Sequence, residues 1–396
     1  MSYDGLPAET RWCEDGPVAP GKLAILVGGG PAPGINSVIA AATIRACLSG
    51  VEVLGVQDGY KHLMEGDTSK VIPMRIEGTS RIHFRGGSHL GISRANPTKR
   101  PEHLANAVEA LRSLGVTMLL SIGGDDTCFS AHKLAQASGG ELRVVHVPKT
   151  IDNDLPLPPG IPTFGFETAR ATAAGIVGTL LEDARTAGRW YVVVMMGRNA
   201  GHLALGAGHS ANATMTLVAE EYAGAKVSLD RMARIVEGAI LKSTAEGRPH
   251  GVVVLAEGLG ECLDPADLAA FPDLPRDEHG HLRLAELPLG RLVRDRVEKG
   301  LKLHGIKTTM VVKDVGYELR CVAPNAFDQE YTRELGAAAV ATLLAGHANV
   351  MITRQNQQIV PIPFDQILDP KTGKTRIRML DTRTEAFASA MALQTR

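Results

Sequence analysis

Short apolar runs alternate along the chain with glycine-rich polar turns and with segments whose apolar positions recur at helical spacing. KLAILV reads as a strand ending at Val27, and the GGGPAPGIN turn after it feeds a helix with Ile35, Val38, Ile39, Ala42 and Ala46 on one face. VEVLGV predicts a short strand. Pro101 opens a helix to Leu114 with Leu104, Ala107, Val108, Leu111 and Leu114 inward, and Gly115 ends it. VTMLLSI, LRVVHV, YVVVMM, ATMTLV, GVVVLA and IKTTMVV predict further strands, with Glu220 and Glu221 at the end of the fourth of these. Helices are predicted over Phe129 to Ala137, Phe166 to Ala187, Leu229 to Ser243, LGRLVRDRVEKG and YTRELGAAAVATLLAG. Residues 259 to 288 are rich in Pro, Asp and His and read as an irregular insertion, while NVMITRQNQQIVPIPFDQI predicts strand and turn before a last helix. This recurrence of strand, glycine turn and helix predicts a doubly wound, mostly parallel α/β architecture.

Composition adds size and excludes partners. The chain has 396 residues, 44% apolar and 21% charged, more than one core usually holds, so two lobes are expected. A formal net charge of -1 offers no global field for nucleic acid or an anionic membrane surface. The five cysteines (Cys13, Cys47, Cys128, Cys262, Cys321) are odd in number, scattered and never spaced CxxC, which points to a reducing, cytoplasmic setting. The first 21 residues lack a basic start with an apolar core, and no run of 18 apolar residues exists, so neither secretion nor membrane spanning is expected.

The candidate chemistry gathers after the strands. Gly28, Gly29, Gly30 and Gly34 form a turn that lets backbone N–H groups approach a phosphate, although it fits neither GxGxxG nor a GxxxxGK[ST] loop. HFRGGSHLGISRANP is a long irregular segment whose Arg85 and Arg94 suit phosphate oxygens. SIGGDDT and PKTIDND each follow a buried strand, placing Asp125, Asp126, Asp152 and Asp154 at one sheet edge if those strands are neighbours. Four carboxylates so close repel and ask for a cation; hard oxygens suit magnesium carrying phosphate, with Lys149 as a fixed positive charge. One of them next to a hydroxyl would take its proton. Asp and Asn after a strand also cap helices and shape turns, and the pattern leaves donor and acceptor unnamed. A nicotinamide-dependent dehydrogenase is the reading from another class, with Glu52 and Asp58 as ribose candidates; the missing GxGxxG stands against it.

In combination and order, GGGPAPGIN, GGSHLGISR, GGDDT, PKTIDND, GFETA, MGRNAG and GYELR resemble the motifs of the 6-phosphofructokinase family, from about Lys22 to near Gly346. The resemblance implies an α/β fold of two Rossmann-like lobes with mostly parallel sheets and an active site in the cleft between them. It divides the chain into an arm (1–21), a larger lobe with the donor and magnesium site (22–160), a smaller sugar-phosphate lobe (161–325), and a C-terminal helix and tail packing back on the lobes (326–396). By this likeness Asp152 is the proton acceptor on the 1-hydroxyl of fructose 6-phosphate, with Asp154 beside it and Thr150 also on the sugar. Asp125 matches the magnesium ligand, and Gly30 and Arg94 match the donor-phosphate contacts.

The family's donor choice falls on two positions. Its ATP-using members carry glycine where this chain has Asp126, and commonly where it has Lys149; Asp with Lys resembles the members that use pyrophosphate. A carboxylate at Asp126 occupies the space and charge that a nucleotide α-phosphate needs. The catalytic set implied is therefore Asp152, Asp126, Lys149 and Arg94, working reversibly on pyrophosphate and magnesium. Met196, Gly197, Arg198 and Glu220 match sugar contacts, and Tyr317 and Arg320 match a pair on the 6-phosphate. Arg189 matches an arginine that reaches a neighbouring subunit's site, which implies a homodimer or homotetramer. Val315 and Gly316 depart from the Pro-Ser of pyrophosphate-using relatives, leaving sedoheptulose 7-phosphate as a second sugar; an ATP-dependent 6-phosphofructokinase is the separate alternative. The length fits a non-allosteric enzyme. A catalytically silent sugar-phosphate-binding subunit is the remaining alternative, against which Asp152, Asp154, Lys149 and Arg94 all stand.

Overall fold

The computed structural model describes residues 21–269 and 286–396. The arm predicted over 1–21, apart from Gly21, and the middle of the insertion predicted over 259–288 lie outside the described residues. By internal contacts the chain divides into two units: the first runs through Lys149 and takes up Gln329–Thr375, the second is Thr150–Asp328 with Arg376–Arg396. The division falls inside PKTIDND, earlier than residue 160, and it shares the C-terminal tail between the units.

The first unit is built on a seven-stranded sheet in the order β11-β10-β5-β4-β1-β2-β3. Its strands are β1 (Lys22–Val27), β2 (Val53–Val56), β3 (Val71–Met74), β4 (Val116–Gly123), β5 (Arg143–Pro148), β10 (Val350–Gln355) and β11 (Gln358–Pro363). β1, β4 and β5 are near-continuous apolar runs buried along almost their whole length, the signature of parallel strands covered on both faces. They pair in parallel with β2 and β10, while β3 and β11 run antiparallel at the edges. Pro73 and Pro361 sit on those edge strands, where a missing N–H costs no central ladder bond. Val27 pairs with Ile122 and Gly123 with Pro148, so β1, β4 and β5 end level. The chain leaves β1 toward β2 on one side and returns as β4 on the other, which makes the β1/β4 edge a topological switch point.

The second unit carries a four-stranded, all-parallel sheet in the order β7-β8-β6-β9. Here β6 is Trp190–Met195, β7 Met215–Leu217, β8 Gly251–Ala256 and β9 Met310–Val315. Met195 pairs with both Ala256 and Val315, so these three strands also end level. The helix Phe166–Ala187 buries Ala169, Ala173, Val177 and Ala184, a stripe of small residues at helical spacing.

The predicted strands form where the apolar runs placed them. Two local expectations are corrected. The helix after GGDDT starts at Asp125 rather than Phe129, because Asp125 and Asp126 enter its first turn, where the helix dipole favours carboxylates. Glu220 and Glu221 lie not at the end of a strand but in a 3-10 turn, Ala219–Tyr222, closed when the Glu221 side chain accepts from the Val218 N–H. The edge strand β3 was not read from the sequence, since VIPM is short and broken by proline.

Candidate active site

Three level strand ends assemble one cluster in the first unit. The glycine turn leaves β1, and Gly29, at φ +87°, donates its N–H to the Ser93 carbonyl at 2.9 Å. That bond holds the GISR segment, and so the exposed Arg94, beside the turn. Asn36 ties down the same loop: its amide donates to the Arg85 and Gly86 carbonyls at 3.2 Å each and accepts the His89 N–H at 2.6 Å. Gly28 and Gly123 press against the Thr127 side chain so closely that a Cβ on either would fall 2.5 and 2.3 Å from it. At the end of β5, Lys149 is only 3% exposed, and its amine donates to the Gly30 carbonyl. Gly30, Arg94, Asp125, Asp126 and Lys149 are thus brought to one edge of one sheet.

Beneath this edge His146 is fully buried, and burial pushes its pKa down to about 3, with nearby Lys149 adding to the shift. Its Nε2 lies 3.0 Å from the Gly123 carbonyl and must donate there; Nδ1, 3.2 Å from the Ser121 hydroxyl, is then the acceptor. The Gly123 carbonyl also accepts the Lys149 N–H at 2.8 Å. A neutral imidazole therefore braces the turn that presents Asp125 and Asp126.

The loop after Lys149 belongs to the second unit. Thr150 Oγ1 accepts the Asp152 N–H at 3.0 Å, and the Thr150 carbonyl accepts the buried Thr163 hydroxyl at 2.8 Å. Asn153 stands at φ +58°, a left-handed conformation that asparagine tolerates, and its side chain accepts the Thr163 N–H at 3.0 Å. Asn199 donates to the Asp154 carboxylate at 3.3 Å. Thr150, Asp152 and Asp154 are together on this loop, half-buried.

The level ends of β6, β8 and β9 assemble a further group. Gly197 has φ +139° and donates its N–H to Glu257 at 3.1 Å. A Cβ on Gly316 would meet the Met196 side chain at 2.6 Å, so only glycine admits that packing. Arg320 stacks on the exposed Tyr317 ring at 4.8 Å. Burial raises the Glu257 pKa, opposed by the Gly197 N–H and by the charges of Arg320 and Arg198. Glu257 stands in this group and was not among the residues expected from the sequence, although it follows GVVVLA just as GGDDT follows its own strand. Glu220 is differently engaged: one oxygen accepts from Gly201 at 2.8 Å and from Leu380 at 3.1 Å. Arg198, Asn199, Glu220, Glu261, Asp381 and Arg383 line a cavity of about 720 Å³. Arg189 precedes β6, a whole strand away from Met196, and pairs with Asp183 at 3.5 Å. It takes no part in the group at the other end of that strand.

Among the described residues, no three His, Cys, Asp or Glu side chains form a group that could hold a metal ion. Asp125 and Asp126 nevertheless supply hard oxygens on consecutive residues of one helical turn, which fits magnesium, an ion that usually takes one or two carboxylates and completes its shell with water and substrate phosphate.

A protein-family profile described as phosphofructokinase matches residues 22–343. The chain belongs to the phosphofructokinase family. It is 50% identical over 374 residues to the pyrophosphate--fructose 6-phosphate 1-phosphotransferase of Thermotoga maritima, covering 93% of this chain and 89% of that one. The enzyme of the same name from Naegleria fowleri is 49% identical over 377 residues, covering 93% and 86%. Among solved structures, the pyrophosphate-dependent phosphofructokinase from Nitrosospira multiformis superposes with a TM-score of 0.70 at 19% identity, covering 92% of this chain and 87% of that one, which shows the shared fold. As a phosphofructokinase-family member, the chain carries every motif of the likeness within the matched stretch; the tail after residue 343 lies beyond it. No helix among the described residues is long and apolar enough to cross a membrane.

Proposed function

We propose that this chain transfers a phosphoryl group from pyrophosphate to the 1-hydroxyl of fructose 6-phosphate, reversibly, giving fructose 1,6-bisphosphate and phosphate. The observation that carries the donor is the buried Lys149 amine held on the Gly30 carbonyl, beside a turn that displays Asp126. A fixed cation there meets a small, highly charged donor, and the Asp126 carboxylate repels the additional phosphate of a nucleotide. The names of the Thermotoga and Naegleria relatives support the same donor.

In the transfer, the Asp152 carboxylate takes the 1-hydroxyl proton while the sugar oxygen bonds to phosphorus and the bridging P–O bond of pyrophosphate breaks. The departing phosphate keeps that bond's electron pair. Asp154 and Thr150 orient the hydroxyl. Backbone N–H groups at Gly30, with Arg94 and Lys149, hold the pyrophosphate oxygens as charge shifts onto the leaving group. Magnesium entering with pyrophosphate, held by Asp125, would neutralise charge on the phosphate oxygens. Met196, Gly197 and Arg198 hold the sugar, and Tyr317 with Arg320 takes the 6-phosphate. Glu257 is better placed than Glu220 to accept from a sugar hydroxyl, because its partner is Gly197 of the same group.

Arg189 completes a neighbouring copy's sugar phosphate site, so the working enzyme is a homo-oligomer, and the scattered, unpaired cysteines support a reducing, cytoplasmic setting. The reverse reaction tests the reading directly: fructose 1,6-bisphosphate and phosphate should yield pyrophosphate at a rate comparable to the forward one. An enzyme that runs in one direction only would overturn it.

A further inference from the structure

We infer that Arg378, in the C-terminal tail, is a positioning residue for the loop that carries Asp152 and Asp154. This rests on the proposed function and adds to it a residue outside the stretch matched by the family profile, which ends at 343.

The Arg378 guanidinium sits in a collar of loop oxygens. Its Nε and Nη2 donate to the Asn153 carbonyl at 3.1 and 2.9 Å, and Nη2 also donates to the Asn153 side-chain oxygen. Nη1 reaches the carbonyls of Ile161 at 2.8 Å, Leu157 at 3.3 Å and Pro158 at 3.4 Å. The Arg378 backbone N–H donates to the Asp154 carbonyl at 2.7 Å, and its own carbonyl lies 3.2 Å from His202 Nε2. One residue thus fastens the Asp152–Asp154 turn, at Asn153 and Asp154, to the LPLPPGIP segment that follows it.

The loop needs such a fastener. LPLPPGIP forms no helix or strand, so its carbonyls have no ladder to satisfy them, and Asn153 holds a left-handed backbone. A planar fork with five N–H groups answers several diverging carbonyls at once, whereas an ammonium on a flexible stem answers fewer. Arg378 touches neither reacting atom. Its effect on catalysis passes through the placement of Asp152, where an error of about 1 Å costs about a hundredfold in rate.

The test compares wild type, Arg378→Ala, Arg378→Lys and Arg396→Ala in pyrophosphate-dependent transfer to fructose 6-phosphate. Arg396 anchors the far end of the same tail, on Glu221 and the Thr216 carbonyl. Arg378→Ala is expected to lower kcat about tenfold to a hundredfold with KM for pyrophosphate unchanged, and low-millimolar guanidinium ion should restore part of that kcat. Arg396→Ala should keep the wild-type kcat. Should Arg378→Ala fail to fold, Arg378→Lys carries the test, with the same fall in kcat at unchanged KM for pyrophosphate. An active wild type matched by both Arg378 variants overturns the inference alone. So does a loss that guanidinium fails to rescue and that Arg396→Ala reproduces, since the tail would then serve only the fold. Wild type inactive with pyrophosphate overturns the functional reading and this inference with it.

Discussion

The amine of Lys149 donates to the backbone carbonyl of Gly30, joining the end of β5 to the glycine turn after β1. Both groups are in the first unit, two strands apart in the sheet, and the bond fixes a positive charge at the switch point. Replacing both Asp126 and Lys149 by Gly should therefore remove the fixed cation and the repelling carboxylate together. The double variant is expected to lose at least about a hundredfold in kcat/KM for pyrophosphate, about 3 kcal/mol, while gaining measurable use of ATP. Steady-state rates with each donor check this; an unaltered donor ratio would place specificity elsewhere.

Asp152→Ser removes the proposed proton acceptor and leaves Thr150 Oγ1 able to accept the residue 152 N–H. Turnover should fall by about 100-fold to 10,000-fold, the usual worth of a positioned acid or base, with much smaller change in KM for fructose 6-phosphate. Near-normal turnover would assign the proton to another group.

Glu257→Ala deletes the acceptor of the Gly197 N–H at the end of β6. KM for fructose 6-phosphate should rise about tenfold to a hundredfold, with KM for pyrophosphate unmoved, because the loss of one hydrogen bond to a charged group is worth about 1.5–3 kcal/mol. The same substitution at Glu220 should have the smaller effect on that KM. The reverse order of the two would restore Glu220 as the sugar contact.

His146 gives a pH prediction with a definite sign. Its folded pKa lies near 3, below the ordinary 6.5, so the unfolded chain binds a proton that the folded one refuses. The contribution of this residue is fully present above pH 6.5 and is lost as pH falls toward 3. At pH 5 the penalty is about 2 kcal/mol, from about 1.4 kcal/mol per pH unit. Urea midpoints measured at pH 7 and pH 5 should therefore separate less in His146→Gln than in wild type. An equal separation would mean that His146 is not buried as a neutral ring.

Arg189 makes a prediction about assembly. Mixing Arg189→Ala with Asp152→Ser under subunit exchange should create sites with an intact Asp152 from one copy and an intact Arg189 from another. Activity above that of either variant alone is the expected result. No recovery in verified hybrids would remove Arg189 from the site.

The strands and most helices were legible because apolar runs between glycine turns carry a strong signal, and the cluster at β1, β4 and β5 followed from three such runs ending in Gly, Asp and Lys. The start of the helix at Asp125 was not, since two aspartates after Gly-Gly read equally well as loop or first turn. Glu257 had the same strand-end signal as Asp125 and was legible in principle. Arg378 had none: a lone arginine in a Thr/Arg-rich tail acquires its role only from carbonyls more than 200 positions away in the chain. The edge strand β3 escaped because edge strands are short and tolerate proline.

Selection of pyrophosphate by Asp126 and Lys149 is the proposed origin of the donor preference. It is tested most directly by assaying purified protein with fructose 6-phosphate and magnesium, offering pyrophosphate, ATP and ADP in parallel. The expected result is rapid formation of fructose 1,6-bisphosphate with pyrophosphate and a kcat/KM at least about a hundredfold lower with either nucleotide. A preference for ATP would contradict it.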